Sequence, residues 1–122
     1  MNHSAGTPPM EIRLKKDRRT LSVAFSALEI YALSAEYLRT QSPSAEVKGH
    51  GVGQEVLVYG KQDVEITGLE PVGEYALKII FSDKHSTGLY TWRYLKELGE
   101  QQDVRWQGYL RQLEEQGKSR HA

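Results

Sequence analysis

Histidine is the side chain best placed to exchange a proton or hold a metal near neutral pH, and four occur in this 122-residue chain. His3 and His121 stand near the two ends, outside any periodic pattern. His50 lies in Lys48-Gly49-His50-Gly51-Val52-Gly53, where alternate glycines leave the backbone free to approach another group closely. A general base or metal ligand could sit there, although a solvated loop histidine is the commoner state of such a residue. His85 falls in the polar reversal Ser82-Asp83-Lys84-His85, where hydrogen bonding to the turn backbone is the ordinary role. Zinc needs about four N, S or O ligands converging at ~2.0–2.3 Å. Glu46, His50 and Glu55 could offer three, but their spacing matches no recognised metal pattern. There is no G-x-S-x-G elbow, and no local spacing fixes a serine beside a histidine. Gly49, Gly51 and Gly53 lack the Lys-Ser/Thr that follows a phosphate-cradling loop. No catalytic residue is assigned.

These residues sit on loops, so the elements between them must do the positioning. Ile12 and Leu14, then Leu21, Val23 and Phe25, alternate with polar neighbours across the turn Asp17-Arg18-Arg19 and predict a hairpin. The cations Arg13, Lys15, Lys16, Arg18 and Arg19 suit the charged outer face of an edge strand better than an anion site. Leu28 to Leu33 reads as a third strand, and Ser34 can cap a short helix over Ala35 to Arg39 that ends before Pro43. Gln41 to Gln54 is a long loop of Ser, Pro, Gly and charge. Val56, Val58 and Tyr59 either form a brief strand or anchor its exit.

Asp63 to Leu69 predicts a strand broken at Pro71-Val72-Gly73, and Tyr75, Leu77, Ile79 and Phe81 share one face of the next. Gly88-Leu89-Tyr90 returns toward the sheet. Thr91 then caps a helix carrying Trp92, Leu95 and Leu98, with Gly99 as its expected end. Asp103 opens a second helix whose stripe is Trp106, Tyr109, Leu110 and Leu113, ended by Gly117. Trp92 and Trp106 are expected to pack on the sheet. Strands first and helices last predict an α+β domain: a mostly antiparallel sheet of about five to seven short strands, a short helix after the third, and two C-terminal helices packed on it. Residues 1–10 are expected to be a disordered tail, 11–117 one domain, and 118–122 a frayed end.

Composition narrows the function classes. Hydrophobic residues at 39% and charged residues at 26% are those of an ordinary globular domain. Sixteen basic residues balance sixteen acidic ones, so no net field favours nucleic acid or anionic lipid. No apolar run approaches the ~20 residues needed to span a bilayer, and the opening residues lack the regions of a secretory signal. Without cysteine there is no disulfide or thiolate chemistry. A cytoplasmic setting, with neither membrane nor nucleic acid as partner, is the expectation.

The runs LSVAF, SAEYLRTQSPSAEVKGHG, DVEITGLEPVGEYALKIIFSDKHSTGLYTWRYLKELG and WQGYLRQLEEQG resemble the uncharacterised DUF971 family, also called the gamma-butyrobetaine-hydroxylase-like N-terminal domain. The resemblance spans roughly Glu11 to Gly117. It implies a domain that precedes a separate iron and 2-oxoglutarate catalytic domain in the oxygenases, or accompanies an iron–sulfur carrier protein, and otherwise stands alone. The oxygenase version implies a structural zinc held by C-x-C-x-x-C and a distant histidine. Those positions fall here on Ser42, Ser44, Val47 and His85, so three of four ligands are replaced by residues that bind zinc poorly or not at all. Val47 is expected to plug the loop instead.

The expected function is a non-enzymatic accessory or adaptor domain that binds a protein partner and carries no cofactor. The candidate contact residues are Arg39, Ser42, Ser44, Glu46, Lys48, His50, Asp83 and His85. The alternative is a metal- or ligand-handling protein near iron–sulfur assembly or oxygenase chemistry, working through His50, His85 and nearby carboxylates.

Overall fold

The computed structural model describes residues 6–43, 57–86 and 88–121. Strand β1 (Glu11–Leu14) pairs antiparallel with β2 (Thr20–Ser26), and β2 with β3 (Glu29–Ser34). The predicted polar turn closes the first hairpin, with Arg18 at φ 61 and the Arg19 N–H donating to Asp17 Oδ1 at 2.8 Å. Alternation then sends Leu21, Val23 and Leu33 into the core, each with no exposure, while Ile12 and Leu14 pack against it.

Ser34 ends β3 and caps helix α1 (Ala35–Thr40), accepting the Tyr37 N–H at 3.0 Å. All six residues of α1 are buried. A helix hidden on every side must give its charged members partners, and Glu36 and Arg39 are such members.

Strands β4 (Ile66–Val72), β5 (Ala76–Phe81) and β6 (Leu89–Thr91) form a second antiparallel sheet. The expected six or so strands are therefore shared between two three-stranded sheets. The Arg18 carbonyl accepts the Ile66 N–H, which ties the sheets without merging their ladders, while the Arg19 carbonyl accepts the Ala35 N–H and carries the β2–β3 pairing to the start of α1. The strand outlasts the start of its expected break by two residues, running through Val72. Pro71 stays inside β4, an edge strand where a missing N–H costs little, and the chain reverses at Gly73 with φ +55. Leu77, Ile79 and Phe81 fill the core, whereas Tyr75 falls in that turn and is exposed.

Helix α2 (Trp92–Glu100) starts at the predicted cap, Thr91, whose hydroxyl accepts the Tyr94 N–H at 3.1 Å. Gly99 does not end it. The helix runs on through Glu100, and the glycine lies against the Tyr31 ring, where a Cβ would overlap ring carbons. Helix α3 (Gln102–Glu115) begins one residue before Asp103, which sits in the first turn and suits the positive end of the helix dipole without capping it. Tyr109 and Leu113 are buried and Trp106 packs on the core edge-to-face with Tyr37, centroids 6.3 Å apart. Val58 belongs to no strand; its carbonyl anchors the chain by accepting the Tyr109 hydroxyl at 2.7 Å.

Both flanking segments make backbone contacts where they are described. Met10 extends the first sheet, donating to the Ala24 carbonyl at 2.7 Å. At the other end, the Ser119 and Arg120 carbonyls accept from Gly60 and Gln62 N–H at 2.9 and 3.0 Å, and Arg120 pairs with buried Glu36. Residues 118–121 are docked because a carboxylate buried on α1 requires a cation.

Candidate functional site

Four of the sequence-nominated residues come together: Arg39, Ser42, Asp83 and His85. Ser44, Glu46, Val47, Lys48, His50 and Glu55 lie outside the described residues. The local sequence explains the meeting. Arg39 is in the last turn of α1, and Pro43 keeps the helix from carrying Ser42 onward. On the other side, the β5–β6 turn folds tightly, with Lys84 at φ 71 and the Phe81 N–H donating to the His85 carbonyl at 3.0 Å. Asp83 Oδ1 accepts the His85 N–H at 3.1 Å, which orients the turn from within.

Ser42 Oγ and His85 Nε2 share a hydrogen bond of 2.9 Å. Ser42 has no exposure and His85 only 6%. Gly88 packs directly on the pair: a Cβ there would overlap the Ser42 hydroxyl and stand 3.2 Å from Pro43 Cδ. Below them, the Tyr90 hydroxyl donates to the Leu38 carbonyl and that of Tyr94 to the Gln41 carbonyl, pinning the exit of α1. Burial pushes both phenols upward.

Asp83 is the electrostatic centre. Arg39 Nε donates to Oδ2 at 2.8 Å and Lys61 Nζ reaches the same oxygen at 2.7 Å. Burial alone would raise the carboxyl, but the hydrogen bonds from Lys61, Arg39 and the His85 N–H outweigh it and hold it at about 2. Arg39 Nη1 is buried and finds no hydrogen-bond partner among the described residues, an arrangement that costs roughly 1–3 kcal/mol.

This arrangement is built to hold α1 against the β5–β6 turn. A nucleophile must reach its substrate, and the Ser42 hydroxyl is closed off from solvent. The zinc implied for the oxygenase relatives does not fit these donors, because Ser42 offers a neutral hydroxyl already bonded to the histidine nitrogen that would ligate. Among the described residues no three His, Asp or Glu side chains converge on a common point. Of the expected contact residues, Arg39, Ser42 and His85 are buried. Asp83 and Lys61 are the members whose side chains retain about a fifth of their exposure.

Sequence reasoning missed Lys61, Gly88, Tyr90 and Glu36. Gly88 and Tyr90 carried a signal, since a glycine and an aromatic beside a turn histidine suggest close packing. Lys61 carried none.

Residues 12–96 match the family described as gamma-butyrobetaine hydroxylase-like, N-terminal. Two proteins with NMR solution structures are similar across nearly the whole fold. One is 49% identical with a TM-score of 0.81, covering 93% of this chain and 89% of that one. The other is 41% identical with a TM-score of 0.80, covering 98% and 89%. The crystal structure of a DUF971 protein of unknown function from Acidithiobacillus ferrooxidans is 33% identical, with a TM-score of 0.62 over 77% of this chain and 98% of that one. No curated protein matches. The family match covers most of the chain and the solved relatives share its fold, so this chain belongs to the gamma-butyrobetaine hydroxylase-like N-terminal family, DUF971.

Proposed function

We propose that the chain is a non-enzymatic accessory domain that binds another protein, and that it docks through the β2–β3 hairpin. One observation carries this reading. Leu28 at the hairpin tip is 99% exposed, and Ile30 on the adjoining strand 57%. Single exposed apolar side chains are ordinary, but Leu28 and Ile30 stand two residues apart at one hairpin end, an apolar pair that water solvates poorly and a partner would cover. The non-enzymatic part is supported by the enclosure of Arg39, Ser42 and His85, with Ser42 bonded to His85 and Arg39 to Asp83.

The test is capture from a native extract by the full chain, compared with Leu28→Asp and Ile30→Asp, which touch no core contact. A stoichiometric protein retained by the parent and lost with both variants is expected. The same set of retained proteins for parent and variants would overturn the docking surface.

A further inference from the structure

We infer that Arg39 and Lys61 form a binding site for the carboxylate of a small organic acid. Asp83 Oδ2 accepts from Arg39 Nε at 2.8 Å and from Lys61 Nζ at 2.7 Å, so two cations share one oxygen. Its other oxygen, Oδ1, is engaged by the His85 N–H at 3.1 Å. Glu36, the buried carboxylate on α1, is taken up by Arg120, with Nε and Nη2 donating at 2.9 and 2.8 Å. Among the described residues no second carboxylate stands within ion-pair distance of Arg39 or Lys61. The cluster therefore sets two positive charges against one negative.

The surplus is not simply left to solvent. The Arg39 side chain is 10% exposed, and its Nη1 is the buried nitrogen without a partner. A guanidinium has only donors to offer, and a buried cation calls for an acceptor that also carries charge. Water could take the N–H groups but would leave the charge unbalanced. One negative charge balances the set, which favours a carboxylate over a phosphate group carrying nearly two. A planar carboxylate also lies well against a guanidinium edge, leaving its second oxygen for the ammonium of Lys61. The two cations come from different elements. Arg39 belongs to the last turn of α1, and Lys61 to the segment before β4, where its carbonyl accepts the Val64 N–H at 3.1 Å. Asp83 holds both in place before any ligand arrives, which lowers the cost of binding. The approach runs past Lys61 and Asp83, whose side chains keep 23% and 22% exposure. So narrow an opening selects a free acid with a small body over a carboxylate carried on a protein chain. The site uses no residue of the β2–β3 hairpin, and either reading can fail without the other.

The test is titration of the full chain with sodium acetate at neutral pH, beside sodium chloride at matched ionic strength, reading the Arg39 side-chain Nε–H resonance. A saturable shift with acetate and none with chloride is expected. Lys61→Gln should weaken acetate binding by about tenfold or more, the loss of one charge-assisted hydrogen bond. Lys61→Arg, which keeps the cation, should retain it. An end-blocked Gly-Glu-Gly peptide should bind more weakly than acetate. An Arg39 resonance that moves alike in both salts overturns the inference, as does an acetate affinity that Lys61→Gln leaves unchanged. A response to inorganic phosphate without one to acetate would also overturn it, by replacing the ligand class. So would a peptide that binds as tightly as acetate, which would make the occupant a protein side chain.

Discussion

Ser42 Oγ and His85 Nε2 meet at 2.9 Å although the two residues are 43 positions apart, and their bond joins the end of α1 to the β5–β6 turn. These are two of the positions that the family resemblance assigns to metal ligands. A buried hydrogen bond here does the joining. Ser42→Ala would remove the bond to the buried His85 nitrogen and is expected to lower stability by roughly 1–2 kcal/mol. A double-mutant cycle with His85→Ala in chemical denaturation should show coupling, and strict additivity would remove the bond from the account. Purified protein is expected to hold well below one zinc per chain; a stoichiometric, tightly held zinc would contradict this use of Ser42.

Local patterns in the sequence made much of this structure legible. The alternation of Leu21, Val23 and Leu33, the Ser34 and Thr91 caps, and the stripe through Trp106, Tyr109 and Leu113 are all short-range signals. Arg39, Ser42, Asp83 and His85 were nominated as neighbours through the family resemblance and their loop positions. Their burial was not legible, because it depends on how α1 is covered from every side. Nor was the Glu36–Arg120 pair, whose members are 84 positions apart, since no local periodicity encodes such a contact. Gly99 shows two rules in competition: glycine commonly ends helices, yet here the Tyr31 ring needs its missing Cβ.

Asp83 sets an acid dependence. Its carboxyl titrates at about 2 in the folded chain, below the ordinary 3.8. Above pH ~4 the carboxylate is charged in folded and unfolded chains alike, and its full stabilisation is present. Between about pH 4 and 2 the unfolded chain takes up a proton that the folded one refuses, so the contribution is lost as pH falls. With about a fifth of the side chain still exposed, solvent screening limits the effect to roughly 1–2 kcal/mol. Asp83→Asn should therefore be less stable than the parent at pH 7 by that amount, with the gap narrowing toward pH 2. A gap unchanged across that range would argue against the charged network.

Two helical glycines make opposite predictions. Gly108, inside α3, has no atom within 4 Å of a Cβ placed on it, so Gly108→Ala should stabilise by about 0.5–1 kcal/mol through helix propensity. Gly99→Ala gains the same propensity but drives a methyl into the Tyr31 ring, which is also held by its hydroxyl on Glu29 Oε2 at 2.7 Å. Overpacking of this kind costs roughly 1–3 kcal/mol, and a net loss is expected. Melting curves of the two variants beside the parent decide the matter; a stabilising Gly99→Ala would mean that the ring moves freely.

At the alkaline end the tyrosines govern. Five of the seven, Tyr31, Tyr37, Tyr90, Tyr94 and Tyr109, are held above the ordinary value of 10. Tyr31 rises to about 12 through the bond it donates to Glu29, and Tyr37 and Tyr109 to about 12 chiefly through burial. Below pH ~10 these phenols are neutral in both states, so stability is unaffected. Above it the unfolded chain ionises while the folded chain resists, and stability falls steadily toward pH 12. Tyrosinate absorbance should therefore rise for these residues together with loss of the fold, in one cooperative step. Tyr37→Phe keeps the ring but removes the hydroxyl that donates to the Leu98 carbonyl at 2.7 Å. It should cost about 1 kcal/mol at neutral pH and delete one phenol from that step. Independent, gradual ionisation of all seven near pH 10, with the fold intact, would refute the buried hydroxyl network between α1, α2 and the second sheet.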